Sequence, residues 1–108
     1  MPELPPVDVG DYVLQAFAPT EHASRYLQQT CKHWSHKFDV LFDPQQGSIA
    51  FSNGALARFS ASPTGLLVRI EAPDEAVALR MSEVVAEHLN RFAHREAPLA
   101  LDWQPGTE

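Results

Sequence analysis

One cysteine, Cys31, stands among 108 residues, so no intramolecular disulfide can form. That fits a reducing compartment and points to the cytoplasm. No apolar run approaches the ~20 residues needed to cross a bilayer. The opening stretch MPELPPVDVG has no basic n-region and no apolar core, so it is not read as a signal peptide. Positive charge is scarce too. Lys and Arg number 8 against 14 Asp and Glu, for a formal charge of −6. A grip on nucleic acid needs a basic surface, so neither nucleic acid nor a membrane is expected as a partner. Catalytic signatures are missing as well. There is no phosphate loop, no Gly-x-Ser-x-Gly elbow, no dinucleotide fingerprint and no His-Glu-x-x-His. No serine stands beside a placed base. The carboxylates Asp39, Asp43, Glu71 and Asp74 fall on strand exteriors, turns and a cap rather than in pairs.

The remainder is ordinary for a globular chain: 44% hydrophobic and 20% charged residues. A chain of this length makes one domain with a real core. Residues 1–9 read as a flexible proline-rich leader, 10–104 as a single domain and 105–108 as a tail.

Periodicity gives the elements. YVLQAFA, Tyr12 to Ala18, reads as a strand. Thr20 is the expected N-cap of a helix running to about His36, with Glu21 in its first turn. Its apolar stripe is Ala23, Leu27, Thr30, Cys31 and Trp34. The period then drops to two. Phe38, Val40 and Phe42 share a face, as do Ile49 and Phe51, and later Leu66, Val68 and Ile70. The turns are DPQQG, SNG and SPTG. These four strands read as an antiparallel meander. Asp74 caps a second helix read over APDEAVALRMSEVVAEHLNRFAHRE, to Glu96, whose apolar face is Val77, Ala78, Met81, Val84, Val85, Leu89 and Phe92. APLALDW is expected as a last strand, with Leu99, Leu101 and Trp103 on one face. The fold class is α+β, in the order β-α-β-β-β-β-α-β. The economical arrangement is a two-layer sandwich, both helices on one face of a largely antiparallel sheet. The other face, with Arg58, Arg69 and Glu71, is left to water or a partner, a second copy included.

The segment TCKHWSHK, Thr30 to Lys37, resembles a Cys/His metal motif. Helical phase divides it. At ~100° per residue, Cys31 and His33 diverge by roughly 160° around Trp34 and cannot share a metal. Cys31 therefore reads as a small core residue. His33 and His36, three apart, share a flank. His88 falls inside the apolar stripe of the second helix, with Arg91 and Arg95 following on one flank. Its plain reading is a core histidine satisfied by a backbone carbonyl. The alternatives are a ligand to metal, an acid/base and an anion site. His22 and His94 read as solvent-facing.

The order YLQQTCKHWSHKFDVLFD, GSIAFSNGALARFSA, GLLVRIEAPD and VVAEHLNRFAHRE resembles the small bacterial family called domain of unknown function 2218, over roughly Ala16 to Trp103. CKHWSHK is similar to the family's Leu-Cys-x-His-aromatic-x-His-Lys segment. HLNRFAHRE is similar to its His-Leu-x-Arg-Phe-Ala-x-Arg-Glu segment, and GSIAF to its Gly-x-Ile-x-Phe strand. The resemblance places family-pattern residues at His33, His36, Lys37, His88, Arg91 and Arg95. Ala55 departs from it, since many relatives carry cysteine there. The resemblance implies a compact two-layer domain and no particular reaction. Related domains are joined to siderophore-interacting, flavin-binding reductases, which implies an accessory role in iron handling.

The leading expectation is a non-catalytic module that binds a small molecule or an iron-related oxidoreductase, with those six residues as ligand-binding candidates. One alternative is a metal or haem site built from His33, His36 and His88. Another is a small enzyme with His88 as acid/base and Arg91 or Arg95 for an anionic substrate. No cofactor is assigned. The distances among the three imidazoles decide between these readings.

Overall fold

The structure is a computed structural model and describes residues 12–96 and 98–106. The expected leader, 1–9, lies outside the described residues. β1 (Tyr12–Pro19) is followed by α1 (Ala23–Trp34). The meander is β2 (Asp39–Phe42), β3 (Gln46–Ala50), β4 (Leu56–Ser62) and β5 (Gly65–Ala72). Then come α2 (Glu75–Phe92) and the short β6 (Gln104–Pro105). All neighbouring strands pair antiparallel, in the order β2-β3-β4-β5-β1-β6. The α+β layout expected from the sequence is the one observed.

Alternation decides the faces. Leu66, Val68 and Ile70 of β5 are wholly buried and join one core with Ile49, Ala57 and Phe59. Leu27 and Cys31 of α1, and Val85 and Leu89 of α2, complete that core from the helical layer. Arg58, Leu67, Arg69 and Glu71 point to the opposite face, one residue out of phase.

The turns follow their residues. Gly54 has φ +90, the left-handed conformation that SNG foretells. Asn53 Oδ1 closes that turn by accepting from the Ala55 amide at 3.1 Å. In the β2–β3 turn, Asp43 Oδ1 accepts from the amides of Gln45 and Gln46, both at 2.8 Å. Those bonds hold the Asp43 carboxyl below its ordinary range. Asp74 caps α2 as expected, accepting from the Val77 amide at 2.9 Å.

Four expectations are corrected. α1 starts at Ala23 with His22 as N-cap, not at Thr20. The Thr20 hydroxyl accepts from the His22 amide at 3.1 Å and donates to Glu96 at 2.9 Å, so it ties the helix entrance to the chain beyond α2. At its other end α1 stops at Trp34. The Trp34 carbonyl accepts from both Lys37 and Phe38, at 3.0 Å each, which closes a turn over residues 35–37 and leaves His36 outside the helix. α2 stops at Phe92, where the Ala93 amide still reaches the Leu89 carbonyl, and residues 93–96 form a turn. The strand expected at APLALDW does not form over its described residues, 98–103. The Leu101 amide bonds the Leu99 carbonyl at 2.8 Å, an i→i+2 turn that bends the segment. Leu99 is buried, and Leu101 and Trp103 pack against the core without ladder bonds. The ladder resumes only at Gln104 and Pro105, against Gln15 and Leu14. So the expected tail begins inside the sheet, and the Gly106 amide adds a 2.7 Å bond to the Val13 carbonyl.

Candidate functional site

α1 and α2 lie in one layer, and their flanks meet. His33, on the last turn of α1, comes beside His88, in the lower half of α2. The ring centroids are 5.3 Å apart with planes tilted by 46°. Trp34 lies beneath both, 4.5 Å from His88 and 5.9 Å from His33. Trp34 is itself buried and meets Phe51 edge to face at 5.2 Å. Phe51 in turn meets Phe38 at 5.0 Å. An aromatic floor thus underlies two imidazoles.

The pair lies at an open cleft of ≈ 330 Å³ rather than in a closed seam. Its walls are His33, Trp34, Lys37, Phe38, Phe51, Ser52, Asn53, Met81, Val84 and His88, of which His33, Lys37 and His88 were expected as binding residues. Lys37 comes there because the chain folds back on the Trp34 carbonyl. Asn53 donates from Nδ2 to Met81 Sδ at 3.3 Å, which ties the β3–β4 turn to α2 across the cleft.

His88 is half-buried, and its Nδ1 lies 2.8 Å from the Val84 carbonyl oxygen. A carbonyl only accepts, so Nδ1 carries the proton. In the neutral ring Nε2 then keeps its lone pair. The bond also fixes the ring's rotation, as an outer partner does for a metal-ligating or catalytic histidine. The satisfied histidine and the candidate site residue are the same side chain. One ring nitrogen serves the fold, and the other makes no hydrogen bond among the described residues.

The remaining candidates go elsewhere. His36 is exposed in the turn after α1 and does not line the cleft with His33. Arg91 is exposed on α2 and pairs loosely with Glu87 at 3.8 Å. Arg95 lies beyond α2 and lines a separate depression with His22, Arg25, His94 and Glu96. Neither arginine lines the His88 cleft. Among the described residues no group of three His, Cys, Asp or Glu gathers to hold a metal. Cys31 is wholly buried and burial pushes its thiol up to about 11, which suits packing and not reaction. His22 and His94 are exposed, as expected.

Trp34, Phe38, Phe51, Asn53 and Met81, which the sequence pattern places in apolar faces or turns, each also have an edge in the cleft. The signal available in the sequence was their clustering around the histidine segment and the SNG turn.

Among the described residues no helix is long and apolar enough to cross a membrane. No curated protein matches the chain. The NMR structure of PA4090 from Pseudomonas aeruginosa is similar, with 37% sequence identity and a TM-score of 0.74. That match covers 90% of this chain and 99% of the other. Residues 15–104 match the model of the family DUF2218, described as an uncharacterised protein conserved in bacteria. The span takes in every strand but the ends of β1 and β6, both helices and the whole cleft, so the chain belongs to that family, the domain of unknown function 2218.

Proposed function

We propose that this protein is a non-catalytic ligand-binding module of bacterial iron handling, with an anionic iron chelate as its ligand in the α1–α2 cleft. The observation that carries the reading is the His33–His88 pair, 5.3 Å apart over the Trp34 ring. The chemistry fits an oxygen-rich chelate. Lys37 supplies a cation, the imidazoles supply hydrogen bonds, and Trp34 with Phe51 supplies a flat apolar floor. The cleft lies at the small end of ligand pockets, so it takes one face of such a molecule rather than enclosing it. A binding role is favoured over chemistry by what orients His88. Its partner is a backbone carbonyl, and among the described residues no carboxylate lines the cleft to form an acid–base relay with it. An iron-related oxidoreductase is the partner such a module would serve.

The test is calorimetric titration with ferric siderophores, haem and flavin, with tryptophan fluorescence as second readout. Saturable binding of an iron chelate, lost in His88→Ala, is expected. Silence across the panel overturns the iron-linked reading.

A second reading takes the same pair as ligands to haem or a transition metal, favoured by the free Nε2 of His88. Two imidazoles are half of a zinc shell, so further donors would come from water or from the bound molecule. A Soret shift, or metal retained through purification, that vanishes in both His33→Ala and His88→Ala supports it. Retention in both variants removes it.

A further inference from the structure

The sheet face opposite the helices carries its own cavity. Strand register sets side chains there in rows. One row across β2 to β5 is Leu41, Ser48, Arg58 and Arg69. The next, across β3, β4, β5 and β1, is Gln46, Ser60, Leu67 and Phe17. Most of these side chains line a groove of ≈ 570 Å³.

Arg58 and Arg69 stand directly opposite one another, an arrangement of like charges that needs an anion between them. Glu71 Oε2 fills that need, accepting from Arg58 Nε at 3.0 Å and Arg69 Nε at 3.1 Å. Engaging Arg58 through Nε holds its guanidinium in place. The terminal nitrogens of Arg58 make no other hydrogen bond among the described residues. Two such N–H groups side by side match the two oxygens of a carboxylate. Ser48 is the cross-strand neighbour of Arg58, and Ser60 is two residues along β4 on the same face. Both add hydroxyl donors. Apolar surface flanks the polar centre: Leu41 is 78% exposed, Phe17 46% and Leu67 37%. Singly exposed apolar residues are ordinary, but Leu41 and Leu67 line one groove with a fixed cation. Asp43 closes the β2 end of the groove with a carboxylate and opposes a second negative charge there.

We propose that this groove binds a small molecule with one carboxylate on an apolar body. The carboxylate sits on Arg58, Ser48 and Ser60, and the body covers Leu41 and Leu67. Arg69 supports the field of the site and already has partners of its own. The groove is separated from the His33–His88 cleft by the thickness of the sheet, so the two sites succeed or fail independently.

The experiment is an amide-resolved NMR titration of the whole protein with octanoate. Saturable shifts at Leu41, Ser48, Ser60 and Leu67 are expected, with His33 and His88 unmoved. Octanamide keeps the body and drops the charge, and it should bind at least about tenfold more weakly. Arg58→Gln should weaken octanoate about tenfold. Ser60→Ala leaves the Arg58–Glu71 pair intact and should weaken it roughly threefold. Equal affinity for octanoate and octanamide overturns the proposal, as does an Arg58→Gln titration that matches the parent. A concentration-dependent dimer that buries Leu41 and Leu67 also overturns it, by assigning the face to a second copy.

Discussion

Thr30 is wholly buried on the inner side of α1, and its hydroxyl has no hydrogen-bond partner among the described residues. A buried donor left unmet costs about 1–3 kcal/mol, so replacing the hydroxyl by a methyl of the same shape should help. Thr30→Val is expected to raise stability by about 1 kcal/mol in chemical denaturation. A loss of that size instead would reveal a partner for the hydroxyl. Gly47 makes room for Cys31. A Cβ at Gly47 would stand 2.6 Å from Cys31 Sγ and 3.2 Å from Phe42 Cβ. The strand can lie this close to α1 only because that position has no side chain. Gly47→Ala is therefore expected to destabilise by about 1–3 kcal/mol despite the better strand entropy of alanine. Adding Cys31→Ala to that background should recover part of the loss, because it removes the clashing sulfur. If the two changes simply add, the close approach is not the cause. The helical phase argument had already put Cys31 in the core. It could not say that a glycine one layer away was its counterpart, because that contact joins β3 to α1 across the fold.

Element boundaries decided which histidines met. Alternation in β3, β4 and β5, the Asp74 cap and the SNG turn were all legible, because each follows from local chemistry. The helix ends were less so. α1 stops at Trp34, closed by backbone bonds from Lys37 and Phe38 and by Ser35 Oγ, which donates to the Lys32 carbonyl at 2.7 Å. His36 falls in the turn that follows and stays outside the cleft. Likewise α2 stops at Phe92, which sends Arg95 to another surface. The meeting of His33 and His88 depends on how far one helix is shifted along the other, and core packing sets that. β6 was illegible for a simpler reason: two residues carry no period. The chain beyond α2 nevertheless has a firm anchor. Glu96 accepts from the Tyr26 hydroxyl and, at 2.9 Å, from Thr20, so it ties that turn to the entrance of α1. The bond from Tyr26 first, and that from Thr20 second, hold the Glu96 carboxyl below its ordinary range. A carboxyl lowered in the folded state stabilises above its unfolded value, roughly pH 4. That stability drains away as pH falls through the lower folded value. Glu96→Gln should lower the melting temperature at neutral pH and flatten the fall on the acid side. A residual fall is expected from Asp43, also lowered, by its two turn amides. Parent and variant curves running parallel down to pH 3 would remove Glu96 from this role.

At the scale of the molecule, the cleft belongs to three elements held together by the core and by the Asn53–Met81 bond. α1 supplies His33 and Trp34, α2 supplies Met81, Val84 and His88, and the β3–β4 connection supplies Phe51, Ser52 and Asn53. None of these segments is adjacent to another in the chain. A ligand seated there touches both helices and the β3–β4 connection, and it binds only when all three are assembled. Binding to the folded state alone stabilises by about 2.7 kcal/mol at a ligand concentration one hundred times Kd. For a domain of about 100 residues, each kcal/mol moves the melting temperature by roughly 4–8 °C. Saturation of the cleft should therefore raise the melting temperature by roughly 10 °C or more. The increment should disappear in His88→Ala and persist in His36→Ala, because His36 lies outside the cleft. It should also persist in Arg58→Gln, since that residue faces the other side of the sheet. Loss of the increment in Arg58→Gln but not in His88→Ala would move the principal ligand site to the outer groove. An increment lost in all three variants would instead mean that the ligand reports on general stability and not on either site.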